Sequence, residues 1–231
     1  MNIKAIILGV IVIILLYILF KYFFNASTQI SGLLNAKNVT KIEADDISNS
    51  NTANYAYSAW FYIDDWSYRY GEPKIILGRL DENLQPSPSI VLGAIENNLQ
   101  ISVACYPKEE SSADIIHKCS VANVPLQRWT NVIVSLYGRT LDVYIDGKLV
   151  RTCVLEGVAK IANNSPIFVT PGGGFSGYTS NVNYYPNSLN PQEAYNIYRR
   201  GYSSGFLSGL SDYSVKVSFY KDDQEQSSVE I

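Results

Sequence analysis

The stretch "LDVYIDGKLV" (residues 141–150) reads as two alternating apolar runs folded about Asp146-Gly147. Asp-Gly between such runs predicts a two-residue type I′ turn, because both central positions need positive φ and the turn's twist matches that of paired strands. The register follows from the turn. Ile145 then faces Lys148, Val143 faces Val150 and Asp142 faces Arg151, which predicts a cross-strand ion pair on the face that carries Tyr144 and Leu149. Leu141, Val143, Ile145 and Val150 supply the more apolar face and point to a core. Asp146 is a turn former and Asp142 an ion-pair partner, so neither is a catalytic candidate.

Further strands are predicted over residues 73–79, 89–94, 99–105, 115–121, 129–137 and 148–155, separated by Gly, Pro and Asn. In "YAYSAWFYIDDW" (residues 55–66), Tyr55, Tyr57, Ala59, Phe61 and Ile63 share one face, with Ser58, Trp60 and Tyr62 on the other. Aromatics on both faces predict a central strand covered on two sides. Short strands at this spacing indicate an all-β sandwich or barrel. One soluble helix is expected in "SLNPQEAYNIYRRG" (residues 188–201). Asn190 suits the N-cap, Pro191 the first position and Glu193 a capping box, and Gly201 ends it. "DYSVKVSFY" (residues 212–220) alternates as a last strand, and the acidic, Ser-rich end frays.

The chain has 231 residues, 47% hydrophobic and 17% charged, with 18 Tyr against one His, which suits one aromatic-rich core of strands. A formal charge of −3 without a basic stripe excludes a nucleic-acid-binding surface. The amino terminus differs from the rest. "AIILGVIVIILLYILF" (Ala5 to Phe20) is uncharged and apolar, and counted on to Phe24 it makes a helix of about 30 Å, the thickness of a bilayer core. Lys21 can snorkel to the headgroups. Phe24 stands where a signal peptidase would need a small residue, which favours an uncleaved anchor. Lys4 on one flank against Lys21, Lys37 and Lys41 on the other leans toward a cytosolic domain. Asn25 to Asn54 is polar, rich in Asn, Ser and Thr, and reads as a stalk with at most one strand.

The three cysteines, Cys105, Cys119 and Cys153, with the lone His117, are too few and too irregularly spaced for a zinc site. Two readings stay open: a bridge between Cys105 and Cys119, which flank a polar loop, or three reduced thiols. Sequons at Asn25, Asn38 and Asn163 are expected by chance in so Asn- and Ser-rich a chain. "DDWSYRYGE" (residues 64–72) gathers Trp66, Tyr68 and Tyr70 in a loop, where they can stack on sugar rings, anchor a protein partner, or pack over the sandwich end. "PGGGFSG" (residues 171–177) lacks the Gly-Lys-Ser/Thr of a phosphate loop, so its glycines are read as turn formers.

The run "WTNVIVSLYGRTLDVYIDGKLVR" (residues 129–151), with "YSAWFYIDDW" before it and "GGGFSGYTSNVNYYPNSLNPQEAYNIYRRG" after, resembles laminin-G-like, concanavalin A-like jelly-roll domains. The resemblance covers about residues 55–200 and implies an antiparallel jelly-roll sandwich. An anchor, a stalk, this domain and a closing "YSVKVSFY" strand also resemble membrane-anchored minor capsid proteins of large DNA viruses of algae and amoebae.

Some relatives in the jelly-roll family are glycoside hydrolases with Glu-x-Asp-x-Glu on one strand. Here "EADDIS" (residues 43–48) lacks the closing Glu, and the acids elsewhere come as adjacent pairs, Asp64-Asp65 and Glu109-Glu110, which a strand points to opposite faces. No enzyme is expected. Lectin relatives bind calcium through loop oxygens, and Asp64, Asp65, Asp81, Glu82 and Asn83 are candidates without a calcium-loop spacing. No cofactor is expected.

Four segments result: an anchor (1–24), a stalk (25–54), a jelly-roll domain (55–221) and an acidic tail (222–231). The expected function is non-enzymatic: a minor capsid protein linking an internal viral membrane to the shell, with membrane and capsid proteins as partners. The alternative is a glycan-binding surface lectin, with or without calcium.

Overall fold

The computed structural model describes residues 9–16, 27–47, 49, 51–81, 83–107, 114–162, 164–202, 216–221 and 224–230. Among these residues there are fifteen strands: β1 (Thr28–Ser31), β2 (Leu34–Asn35), β3 (Thr40–Ile42), β4 (Tyr55–Asp65), β5 (Lys74–Leu80), β6 (Pro86–Leu92), β7 (Leu99–Cys105), β8 (Ile115–Val121), β9 (Thr130–Tyr137), β10 (Thr140–Ile145), β11 (Lys148–Val154), β12 (Ile167–Val169), β13 (Ser176–Tyr185), β14 (Lys216–Lys221) and β15 (Gln224–Glu230). A sandwich helix, α1, spans Pro191–Arg199. One sheet runs β1-β13-β4-β9-β10-β11 with β2 also on β13, and the other runs β3-β12-β5-β6-β7-β8. All pairings are antiparallel.

The core lies between the two sheets. Tyr55, Tyr57, Ala59, Phe61 and Ile63 of β4 point into it, as alternation predicts, against Ile90, Leu92, Leu99, Ile101 and Val103 of the second sheet. On the other face of β4, Trp60 is covered by α1. Ala194 and Ile197 of the helix pack on Ile133 and Tyr144. The capping box forms as expected. Glu193 N–H donates to Asn190 Oδ1 at 2.9 Å and Asn190 N–H donates to Glu193 Oε2 at 2.8 Å.

Asp146 and Gly147 have φ of 49° and 71°, the type I′ signature. The register past Tyr144 departs from the expected one. A bulge at Val150 puts Val143 opposite Arg151 and Asp142 opposite Thr152. The Asp142–Arg151 ion pair therefore does not form, and Thr152 Oγ1 donates to Asp142 Oδ1 at 2.6 Å. Asp146 does more than turn the chain: its Oδ1 accepts Asn131 N–H at 2.9 Å and its Oδ2 pairs with Arg128.

The expected stalk is part of the sandwich. β1 and β2 extend the first sheet and β3 the second, while Ile30, Ala36 and Ile47 are core residues. Polar composition concealed this, because edge strands need few buried side chains. Gly174 shows how close the segment lies: at φ 46°, a Cβ there would sit 1.9 Å from Ala36 O. β14 is also not a sandwich strand. It pairs with β15, so most of the expected fraying tail is a strand of a separate two-stranded sheet.

The Cys105–Cys119 bridge is also corrected. Within the β7/β8 ladder Cys105 faces Ile115 and Cys119 faces Ile101, four positions apart along the same pair of strands. Cys119 instead bonds Cys153 of β11, with Cα atoms 6.1 Å apart, and Cys105 is a buried free thiol. The bond joins the last strands of the two sheets. Among the described residues no helix is long and apolar enough to cross a membrane. Residues 9–16 are helical, with Val10 to Leu16 exposed, and the expected anchor's Ala5, Phe20 and Lys21 lie outside the described residues.

Several phenols are neutral because the sandwich surrounds them. Burial raises Tyr55, Tyr57, Tyr144 and Tyr184, with Arg79 opposing at Tyr55, Tyr57 and Tyr184 without outweighing it. Burial also pushes Tyr185 up to about 12, against Arg200. A raised folded-state pKa gives stability that is fully present below the unfolded value near 10 and lost as pH rises through the folded one. Lys160 acts in the same direction, raised chiefly by its hydrogen bond to Asp114. The thermal midpoint should therefore fall steadily above about pH 10, with the phenolate absorbance of the buried rings appearing only on unfolding. A single step complete before unfolding would contradict this.

Candidate functional site

The loop of residues 64–72 packs its rings unequally. Trp66 is half-buried against the core, its Nε1 donates to Ile95 O at 2.9 Å, and Lys74 Nζ lies 4.5 Å from its ring centroid. Tyr68 hydroxyl donates to Gly173 O at 3.3 Å, and Lys37 Nζ lies 4.6 Å from its ring. Tyr70 alone is well exposed, at 61%. Arg69, at φ 53°, clamps this loop onto the glycine turn by donating to the carbonyl oxygens of Gly172 and Gly174. Trp66 and Tyr68 are thus each held by a different backbone carbonyl, and Tyr70 is the ring of the three that stands open. Cations cover Trp66 and Tyr68, and the glycines serve the turn.

A larger aromatic surface lies next to this loop, on the outer face of the first sheet. Trp129 and Tyr202 stack with centroids 4.5 Å apart and planes 7° from parallel. Tyr62 tilts against Trp129 at 5.8 Å, and Trp60 stacks on Tyr198 at 5.6 Å and meets Tyr202 edge-on at 6.0 Å. Tyr178 stands opposite Tyr62 in the β13/β4 ladder. Trp60 is buried, Tyr62, Trp129 and Tyr198 are half-buried, and Tyr178, Tyr195 and Tyr202 are exposed. Such rings offer large, rigid contact area at low entropic cost. Sequence reasoning placed Trp60 and Tyr62 on the second face of β4 but missed their meeting with Trp129, Tyr178 and Tyr202, which is set by strand pairing and by the chain beyond α1.

The position of this surface is fixed by β13. Its early residue Tyr178 belongs to the aromatic row, whereas Tyr184, six residues later, pairs with Thr28, where the described chain enters the sandwich. Six residues of strand are about 20 Å. The aromatic row and the 64–72 loop thus lie at the end of the sheet opposite the chain's entry.

The carboxylates mostly serve structure. Asp65 accepts the Ser67 N–H and hydroxyl, which holds its carboxyl below the usual range. Asp81 Oδ1 accepts the N–H groups of Asn83 and Gln85, and its Oδ2 lies 3.8 Å from Lys160, which also pairs with Asp114. Glu72 pairs with Arg69 at 2.6 Å. Among the described residues no group of three or more His, Cys, Asp or Glu is placed to hold a metal ion; Glu82 of the calcium candidates lies outside them.

Two antiparallel sheets packed face to face, with a short helix on one outer face, define a jelly-roll sandwich of the lectin-like class. Residues 36–194 match the Laminin_G_3 family, described as the Concanavalin A-like lectin/glucanases superfamily, and the chain belongs to that family. No curated protein matches the chain. Among solved structures, it is similar to the binding domain of botulinum neurotoxin serotype D/C (TM-score 0.53, 15% identity, covering 72% of this chain and 42% of that one). It is also similar to the receptor-binding domain of the mosaic serotype C/D toxin (TM-score 0.54, 12% identity, 72% and 41%) and to the serotype D binding domain (0.53, 12%, 75% and 42%). The chain spans less than half the length of those structures, and the likeness is one of fold.

Proposed function

We propose that the chain is a non-enzymatic, membrane-tethered interaction protein, and specifically a minor capsid protein that links an internal viral membrane to the shell above it. The observation that carries this reading is the opposed placement of chain entry and aromatic surface. A domain held through its amino-terminal side turns Tyr62, Trp129, Tyr178 and Tyr202 away from the tether. The exposed apolar side chains of helical residues 10–16 support a membrane-bound leader. Tethering raises the effective concentration of the aromatic end toward a neighbouring shell, so individually weak contacts suffice. Binding rather than catalysis is supported by carboxylates engaged in turns, caps and ion pairs. The Cys119–Cys153 bond favours an oxidising compartment for the domain, against the lean of the flanking lysines.

In purified virions the protein should be present, remain with the membrane through a high-salt wash, and cross-link from the aromatic end to shell protein. Absence from virions would sink the capsid role. The Tyr202 ring, exposed and backed by the half-buried Trp129 stacked on it, also favours a second reading, a glycan-binding lectin, since flat exposed rings stack on sugar faces. On this reading the intact chain binds on a glycan array and Trp129→Ala weakens binding by about tenfold or more. Trp66→Ala has less effect, because Lys74 already covers that ring. No signal on any glycan, with and without calcium, rules the lectin out.

A further inference from the structure

We infer that β11 and the cavity beside it form a second binding site, one that takes an extended peptide of a partner protein carrying a lysine or arginine. Among the described residues β11 ends its sheet and is paired on the β10 side alone. Six of its seven residues are exposed, and Cys153 is half-buried. A strand so placed holds a row of backbone donors and acceptors that an added strand completes.

A cavity of about 470 Å³ opens on the outer face next to this edge, its lining including Tyr137, Asp142, Tyr144, Leu149 and Glu193. Asp142 uses Oδ1 to accept from Thr152, and Glu193 uses Oε2 to cap α1. Neither carboxylate is in an ion pair among the described residues. Burial raises Tyr144, and Asp142 and Glu193 add to the effect, so the cavity carries a negative field. A cationic side chain entering there meets carboxylate oxygens and phenol rings together.

A second copy of this chain fits the edge less well. Antiparallel pairing of β11 with itself about its middle sets Arg151 against Arg151. The outer face of β11 offers Leu149, Thr152 and Val154, so the copy brings no cation to the cavity. The bulge at Val150 confines an added ladder to residues 151–154, from which a long side chain can reach past Thr152 toward Asp142. The Cys119–Cys153 bond pins this same stretch to β8, so the edge is ordered before binding. The cavity's lining includes none of Tyr62, Trp129, Tyr178 and Tyr202, so the site stands independently of what that row binds.

The test uses the intact chain in detergent micelles and a fluorescein-labelled peptide of about ten residues, alternating valine and threonine with lysine, followed by anisotropy. The peptide should bind saturably. Binding should weaken about tenfold with Asp142→Asn, which keeps the acceptor for Thr152, and similarly when glutamate replaces lysine in the probe. A probe N-methylated at alternate residues has the same charge but lacks the donors and should not bind. Equal binding of the N-methylated probe would overturn strand addition, and unchanged affinity in Asp142→Asn would overturn the cavity's part. No binding of the plain probe overturns the site, and self-association that survives Asp142→Asn assigns the edge to a second copy instead.

Discussion

A chain that begins at residue 54 is expected to lose its cooperative fold. The residues removed carry Ile30 and Ile47, each 5% exposed, and Ala36, fully buried. Burial of an isoleucine stabilises by about 1.5–3 kcal/mol, so the two alone take about 3–6 kcal/mol from a total that is typically about 5–15. Polar losses add to this. Ala36 N–H donates to Gly177 O at 2.9 Å, Phe175 N–H to Ala36 O at 3.2 Å, and Thr170 Oγ1 to Asn38 O at 2.7 Å. Tyr184 hydroxyl would also lose its contacts to Asn49 O and Thr52 Oγ1, each 3.0 Å. Without β1, β2 and β3, the edges of β13 and β12 stand bare, a state prone to aggregation. Circular dichroism melts and size exclusion decide the matter: a soluble, monomeric fragment with a sharp transition would show the segment to be dispensable.

The second large effect is expected from the disulfide. Paired Cys119→Ala and Cys153→Ala substitutions, or reduction, should cost about 3–4 kcal/mol, the loop entropy released when 34 residues of separation are no longer closed. For a domain of this size that is a fall of about 10 °C in the midpoint. Cys105→Ala removes only a small buried group and should cost about 1 kcal/mol. Peptide mapping of the unreduced protein should find residues 119 and 153 in one linked species. A melting midpoint indifferent to reductant, or a linked peptide containing residue 105, would contradict the assignment.

What could be read from the sequence was local. The I′ turn at Asp146-Gly147, the capping box of Asn190 and Glu193, and the strands 99–105 and 115–121 depend on neighbours within a few residues. The bulge at Val150 is local too, but no residue type marks it, so a one-residue slip replaced the Arg151 ion pair with the Thr152 hydrogen bond. The partner of Cys119 depends on which strands end the two sheets and on how those sheets stack, which spacing between cysteines does not carry. The candidate surface was missed for the same reason. Trp66 and Tyr68 lie two residues apart yet bond different carbonyls, Ile95 O and Gly173 O, whereas Tyr62, Trp129, Tyr178 and Tyr202 are scattered in sequence and meet. The sequence clue was the alternation in β4, which left Trp60 and Tyr62 facing away from the core and in need of cover.

The pairing of Thr28 with Tyr184 also determines how the domain answers mechanical load. A pull on the amino-terminal side, resisted at the aromatic end, runs along β1 and β13 rather than across them. The ladder between these strands is loaded in shear, so its hydrogen bonds bear the force together instead of unzipping one at a time. A tether attached in this way transmits tension through the sandwich along the strand direction, while the disulfide on the far edge holds the two sheets from sliding apart.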